Sequence, residues 1–264
     1  MIKTRKIILY FIFYISIITS TGCQFSHDTG LKSTEVRNDY KPILKRLANN
    51  MSGDWGIEAI HLPDTPLLDE YKPIVAIIDS GNNLSNKNIL AGYNLIDNTT
   101  DVTDVIGHGT EITTLLLKVA PQSLILPVKV FDKNREQDPA IVARAIEWAI
   151  DNSAQVINLS LAVPNESIEL KQAILKAINK NIPVIASVGN DGLNKLPSPA
   201  NMEPVISVIA RDINNVDVAF SNYSSIKKSV SAPGVHIKVG NNNFVSGTSF
   251  ATAFVSGTVT LIKS

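Results

Sequence analysis

The sequence predicts an α/β fold, a three-layer sandwich whose mostly parallel central sheet is flanked by helices. Three observations predict it. Short apolar runs bounded by turn residues alternate with segments of helical periodicity. The runs are apolar throughout instead of alternating, as in strands buried on both faces. The composition, 44% hydrophobic and 18% charged over 264 residues, is that of an ordinary globular chain with enough apolar surface for a sizeable core. No internal repeat or low-complexity tract interrupts it.

The elements follow in order. Met1 to Lys6 is basic and Ile7 to Ile18 is apolar apart from Ser16. That run is short for a membrane span and suits a secretory signal. It ends at Ser20-Thr21-Gly22-Cys23, which resembles a lipoprotein signal except that Ser20 stands where an aliphatic residue is usual. Residues 1–22 are therefore expected to be a lipoprotein-type signal peptide, with Cys23 lipidated and the chain exported and held at a bacterial membrane. An ordinary signal peptide and an uncleaved anchor are the alternatives, and both also place the chain outside the cytoplasm. Residues 23–54 are polar and read as a tether. The folded domain is expected over 55–264.

Within that domain Pro73 to Ile78, Leu124 to Val130, Val156 to Ser160, Pro183 to Val188 and Val205 to Ala210 read as buried strands. Asp138-Pro139 opens a helix with a capping acid and a proline at its first position. Ile141, Val142, Ala145, Ile146 and Ala149 continue it at helical spacing. Ser167 caps a second helix reaching Lys180, with Ile174, Ala177 and Ile178 on its apolar stripe. Connections in such sheets are right-handed, and ligands bind beyond the carboxyl ends of the strands.

Charge and cysteine content exclude some functions. With 24 basic and 24 acidic residues the formal charge is zero, so no nucleic-acid partner is expected. Cys23 is the only cysteine, so no intrachain disulfide forms.

Three segments carry candidate chemistry. Asp79-Ser80-Gly81 ends the first apolar run, where a plain turn is the simplest use of such residues. Gly107-His108-Gly109-Thr110 opens a helical pattern, and a neutral imidazole there suits either a satisfied loop histidine or a general base open to close approach. Gly247-Thr248-Ser249-Phe250-Ala251 begins a small-residue helix. Ser249 there is an N-cap or a nucleophile held at the positive end of the helix dipole. The segment does not fit the G-x-S-x-G elbow, because Ala251 replaces the last glycine.

Each motif is weak alone, but in the order Asp, His, Ser they resemble the subtilisin-like (subtilase) serine peptidases. Further segments share the resemblance: Trp55-Gly56-Ile57, Glu147-Trp148-Ala149, Val156 to Leu161, Ser187-Val188-Gly189-Asn190, Phe220-Ser221-Asn222 and Ala232-Pro233-Gly234. It implies the subtilisin-like fold and serine endopeptidase activity on a polypeptide substrate, with specific maturation of an exported peptide as one form. It implies Ser249 as nucleophile, His108 as general base, Asp79 as its orienting partner and Asn190 as oxyanion donor. An αL turn residue is the structural alternative for Asn190. Ser160, Leu161 and Ala162, with Ser187, Val188 and Gly189, are implied to wall the substrate pocket. Ala162 and Val188 replace smaller residues and should narrow it. Asp191 is either a solvated loop acid or a charge at the pocket mouth.

The chain departs from the family at Thr113, Thr114 and Ala253, behind the triad. It is expected to lack the folding-assisting prodomain and the closing helices. Leu115 to Pro121 offers no acid–amide cluster, so no calcium is expected there; no cofactor is expected at all. A catalytically idle subtilase-fold peptide-binding protein is the alternative function.

Overall fold

The computed structural model describes residues 40, 54–62, 72–133, 137–241 and 243–263. The predicted signal peptide, Cys23 and all of the predicted tether except Tyr40 and Asp54 lie outside the described residues. Seven parallel strands form one sheet: β1 (Ile74–Asp79), β2 (Tyr93–Asn94), β3 (Leu124–Lys129), β4 (Val156–Leu159), β5 (Val184–Ser187), β6 (Ile206–Arg211) and β7 (Val230–Pro233). Their spatial order is β2-β3-β1-β4-β5-β6-β7. The five predicted strands are present with ends shifted by a residue, while β2 and β7 carried no sequence signal.

β1 explains the layering. Val75 and Ile77 pack into one hydrophobic layer, Ala76 and Ile78 into the other, as the two-residue period of a strand requires. The first layer holds α2 (His108–Val119) and α5 (Thr248–Lys263); the second holds α3 (Pro139–Asp151) and α4 (Ile168–Asn179). Asp138 caps α3 by accepting from the Ala140 N–H at 2.8 Å, and Ser167 caps α4 through the Leu170 N–H at 3.1 Å. Both helices bury the predicted stripes, with Ile141 and Ile178 only partly covered.

The strand order creates a switch point. The chain leaves β1 for β2 and β3 on one side, then crosses to β4 on the other. The β2–α2–β3 and β3–α3–β4 crossovers run in the same direction along the sheet, yet α2 and α3 lie on opposite faces. The two connections therefore have opposite hands, and the α2 crossover departs from the right-handed rule that was expected throughout. A crevice opens beyond the carboxyl ends of β1 and β4. Asp79 is the last residue of β1, and Ser160 follows β4.

A short helix, α1 (Trp55–Ala59), packs beneath α5: Trp55 is buried and its Nε1 donates to the Val235 carbonyl at 3.1 Å. A hairpin, β8 (Ile237–Lys238) with β9 (Phe244–Val245), leads into α5. Tyr40, within the predicted tether, sets its ring edge-on to Phe220 with centroids 6.3 Å apart. Among the described residues no helix is long and apolar enough to cross a membrane.

Candidate active site

β1 delivers Asp79 to the crevice and the first turn of α2 delivers His108. Asp79 Oδ1 lies 2.7 Å from His108 Nδ1, and both side chains are buried. A carboxylate oxygen only accepts, so Nδ1 carries the proton and donates, leaving Nε2 as the lone-pair nitrogen. Asp79 Oδ1 also accepts from the Ser80 N–H at 2.7 Å. Burial disfavours the imidazolium, but Asp79, by charge and hydrogen bond, with Glu111 and Asp104 behind it, more than offsets that. The His108 pKa is raised above the ordinary value of 6.5.

Both glycines flanking His108 have a backbone role. A Cβ on Gly109 would lie 2.2 Å from the Gly81 carbonyl oxygen and 3.2 Å from the Asp79 Cβ. Only glycine lets α2 come this close to the end of β1. Gly107 has φ +94° at the N-cap of α2 and offers no side chain to cap it. Asp104 and Ser80 supply the caps instead: Asp104 Oδ2 accepts the Thr110 N–H at 2.9 Å and Ser80 Oγ accepts the Gly109 N–H at 3.0 Å.

Ser249 is the second residue of α5, almost wholly buried. Its Oγ donates to the Ser160 carbonyl at 3.2 Å, while His108 Nε2 makes no hydrogen bond within the protein. The histidine and serine segments abut, with the rings of His108 and Phe250 5.8 Å apart. A buried polar chain pins α5 to β4. Ser256 Oγ donates to Asn158 Oδ1 (2.8 Å), Asn158 Nδ2 to Ser160 Oγ (3.0 Å), and Ser160 Oγ to the Ser249 carbonyl (2.9 Å).

Asn190 follows β5. Its Oδ1 accepts from the Thr248 N–H at 2.9 Å and the Thr248 hydroxyl at 3.0 Å, which fixes the amide plane and turns Nδ2 to the opposite side. The left-handed residue is Gly189, at φ +90°, so Asn190 is not an αL turn residue. The structure brings Asp79, His108, Asn190 and Ser249 into one crevice, but it does not join Ser249 to His108. Of the six predicted pocket residues only Ala162 is partly exposed; Ser160, Leu161, Ser187, Val188 and Gly189 are buried. Leu161 and Val188 sit in the α3–α4 layer. Asp191 is bound, its Oδ2 accepting from Asn222 Nδ2 at 3.3 Å.

Sequence reasoning missed Asp104, Asn158 and Ser256, and passed over Ser80. An acid just upstream of a helix start was a signal for Asp104. A lone asparagine within an apolar strand was one for Asn158. At the departures behind the triad, Thr114 Oγ1 returns to the Thr110 carbonyl at 2.8 Å and Thr113 Oγ1 is buried without a partner. Among the described residues no three His, Cys, Asp or Glu side chains are grouped to hold a metal.

Comparison with known proteins identifies the family. The subtilase family model matches residues 70–264. The chain is 35% identical over 204 residues to a thermostable alkaline protease of Halalkalibacterium halodurans, covering 72% of this chain and 56% of that protein. It is 31% identical over 225 residues to Subtilisin Savinase of Lederbergia lenta, covering 79% of this chain and 83% of that one. A cold adapted subtilisin-like serine proteinase of known crystal structure superposes with a TM-score of 0.67 at 26% identity, over 78% of this chain and 83% of its own. The chain spans little more than half the length of the alkaline protease and 52% of a thermophilic serine proteinase of Bacillus sp.. With a family match across the whole sheet, and relatives sharing its fold over most of its length, the chain belongs to the subtilase family.

Proposed function

We propose that this protein is a serine endopeptidase that hydrolyses exported polypeptides. The observation that carries the proposal is the 2.7 Å contact of Asp79 with His108 beside the helix bearing Ser249. Ser249 Oγ turns from the Ser160 carbonyl to attack the peptide carbonyl carbon, and its proton passes to His108 Nε2. Asp79 holds the imidazole in the required tautomer and stabilises its cation without being protonated. The oxyanion accepts hydrogen bonds from Asn190 Nδ2 and the Ser249 N–H. Collapse expels the amine, which takes the proton from Nε2. A water then attacks the acyl-serine with His108 as base, releasing the acid and restoring Ser249.

Ala162, the one predicted pocket residue that is partly exposed, stands where the family usually has a smaller residue and supports a narrow pocket, which takes a small side chain before the scissile bond. Narrow acceptance fits maturation of one exported peptide better than general digestion. The basic, then apolar, segment ahead of Cys23 supports export and lipid anchoring.

A fluorophosphonate probe tests the assignment: it should label the protein at Ser249, with no labelling of Ser249→Ala. Folded wild-type protein that resists the probe and cuts no peptide in a library would sink it. The Ser249–Ser160 hydrogen bond, in place of one to His108, favours a second reading as an idle peptide-binding protein. That reading requires peptide binding with no turnover in the same library. A Cys23→Ser variant that still fractionates with membranes would count against the lipid anchor.

A further inference from the structure

Asp104 lies between β2 and α2, is 4% exposed, and accepts five hydrogen bonds. Oδ1 takes the Ser80 hydroxyl (2.9 Å) and the N–H groups of Ile106 (3.1 Å) and Gly107 (2.8 Å). Oδ2 takes the Thr110 N–H (2.9 Å) and hydroxyl (2.7 Å). Its own backbone is gripped on both sides by Asn83, whose Oδ1 accepts the Asp104 N–H at 2.9 Å and whose Nδ2 donates to the carbonyl at 2.7 Å. Burial alone would raise the carboxyl pKa, but these donors more than offset it, and the group is held ionised below its ordinary value of 3.8.

These contacts close a ring. Asp79 Oδ1 holds the Ser80 N–H, the Ser80 hydroxyl holds Asp104, Asp104 holds the first turn of α2, and that turn carries His108 back to Asp79 Oδ1. A helix start needs caps, and one acceptor per N–H would serve. The reach back to Ser80, beside Asp79, does more than cap. It ties the segment bearing the carboxylate to the segment bearing the imidazole, independently of their own contact. A negative charge at the positive end of α2 strengthens the tie.

We propose that Asp104 is a positioning residue, which through Ser80 sets the distance and angle between Asp79 and His108. It touches no substrate, and the inference rests on the peptidase function proposed above. Asn in its place has one oxygen, so it serves either the Ser80 side or the Thr110 side and turns an NH2 group toward donors.

The test compares Asp104→Asn with wild type, and with Asp101→Asn as control. Asp101 is an exposed carboxylate on the same loop, and its Oδ1 accepts from the Thr103 N–H and hydroxyl. Rates are normalised to the fraction of protein labelled by the probe, so that misfolded molecules do not count. Asp104→Asn should lower kcat about 10- to 100-fold per labelled site with KM within about two-fold, because displacements of ~1 Å at the reacting groups have that effect. In a Ser249→Ala background, NMR titration of His108 should show its pKa falling toward the ordinary value. Asp101→Asn should change neither. Loss of the Asp104 charge by itself lowers the His108 pKa, so kcat decides for this variant: a folded Asp104→Asn protein with wild-type kcat per labelled site would reduce Asp104 to a simple cap and overturn the proposal. If Asp104→Asn does not fold, Ser80→Ala removes the link toward Asp79 and the Gly109 cap while leaving every charge in place, and an unchanged His108 titration there overturns the proposal equally. The NMR readout needs no turnover, so wild-type protein inert to the probe would sink the peptidase function while leaving this proposal decidable.

Discussion

Ser160 and Ser249 bond each other twice: the Ser249 hydroxyl donates to the Ser160 carbonyl at 3.2 Å, and the Ser160 hydroxyl donates to the Ser249 carbonyl at 2.9 Å. The end of β4 thereby fixes both the backbone and the resting side chain of the proposed nucleophile. Ser160 was expected as a pocket wall, yet its side chain is wholly buried and turned toward α5.

Ser160→Ala therefore removes two contacts at once. The Ser249 carbonyl loses its donor and Asn158 Nδ2 loses its acceptor. Leaving buried polar groups unpaired costs about 1–3 kcal/mol, so a matching drop in unfolding free energy by urea titration is expected, together with a lower kcat. An unchanged denaturation midpoint would show that the network contributes nothing.

Asn190→Ala should lower kcat about 10²–10³-fold with little change in KM, because the oxyanion develops only in the transition state. Thr248→Val should act in the same direction and more weakly. It deletes the hydroxyl that holds Asn190 Oδ1 and that accepts from the Gly189 N–H at 3.2 Å. Steady-state kinetics on a cleaved peptide check both, and a pure KM effect would contradict the role.

The pH dependence follows from His108. General-base action needs the neutral imidazole, and the His108 pKa is raised, so the acid limb of kcat/KM should lie above 6.5. Glu111→Gln removes one of the raising charges and should move the limb to lower pH. The stability linkage has the opposite sense: a raised folded pKa adds stability that is complete below the unfolded value near 6.5 and is lost as pH rises through the folded value. A limb below 6.5 would refute the electrostatics.

Gly109→Ala should abolish probe labelling and destabilise the fold by about 1–3 kcal/mol, as forced overpacking does. The new Cβ meets the Gly81 carbonyl, which is backbone and cannot swing aside. Labelling at the wild-type rate would show that α2 can withdraw from β1 without harm.

The legibility of the chain was uneven for physical reasons. Buried parallel strands are continuous apolar runs, so β1 and β3 to β6 stand out in the sequence. β2 is only two residues long, and β7 is Val-Ser-Ala-Pro with two half-buried positions, so neither has a pattern to find. Asp79, His108, Asn190 and Ser249 were nominated through their order and flanking segments. Asp104, Asn158 and Ser256 were not, because a buried polar side chain is recognisable only by the partner it meets, and Asn158 and Ser256 lie 98 residues apart.

The sequence by itself determined the main strands and helices, the α/β class and the candidate side chains for the chemistry, since these depend on local periodicity, capping and motif order. Tertiary structure alone decided which flanking residues hold those side chains in register. It also decided that Gly109 serves close packing of α2 on β1, and that most of the expected pocket wall is buried. Such facts depend on distances between segments remote in the chain, which no local pattern records.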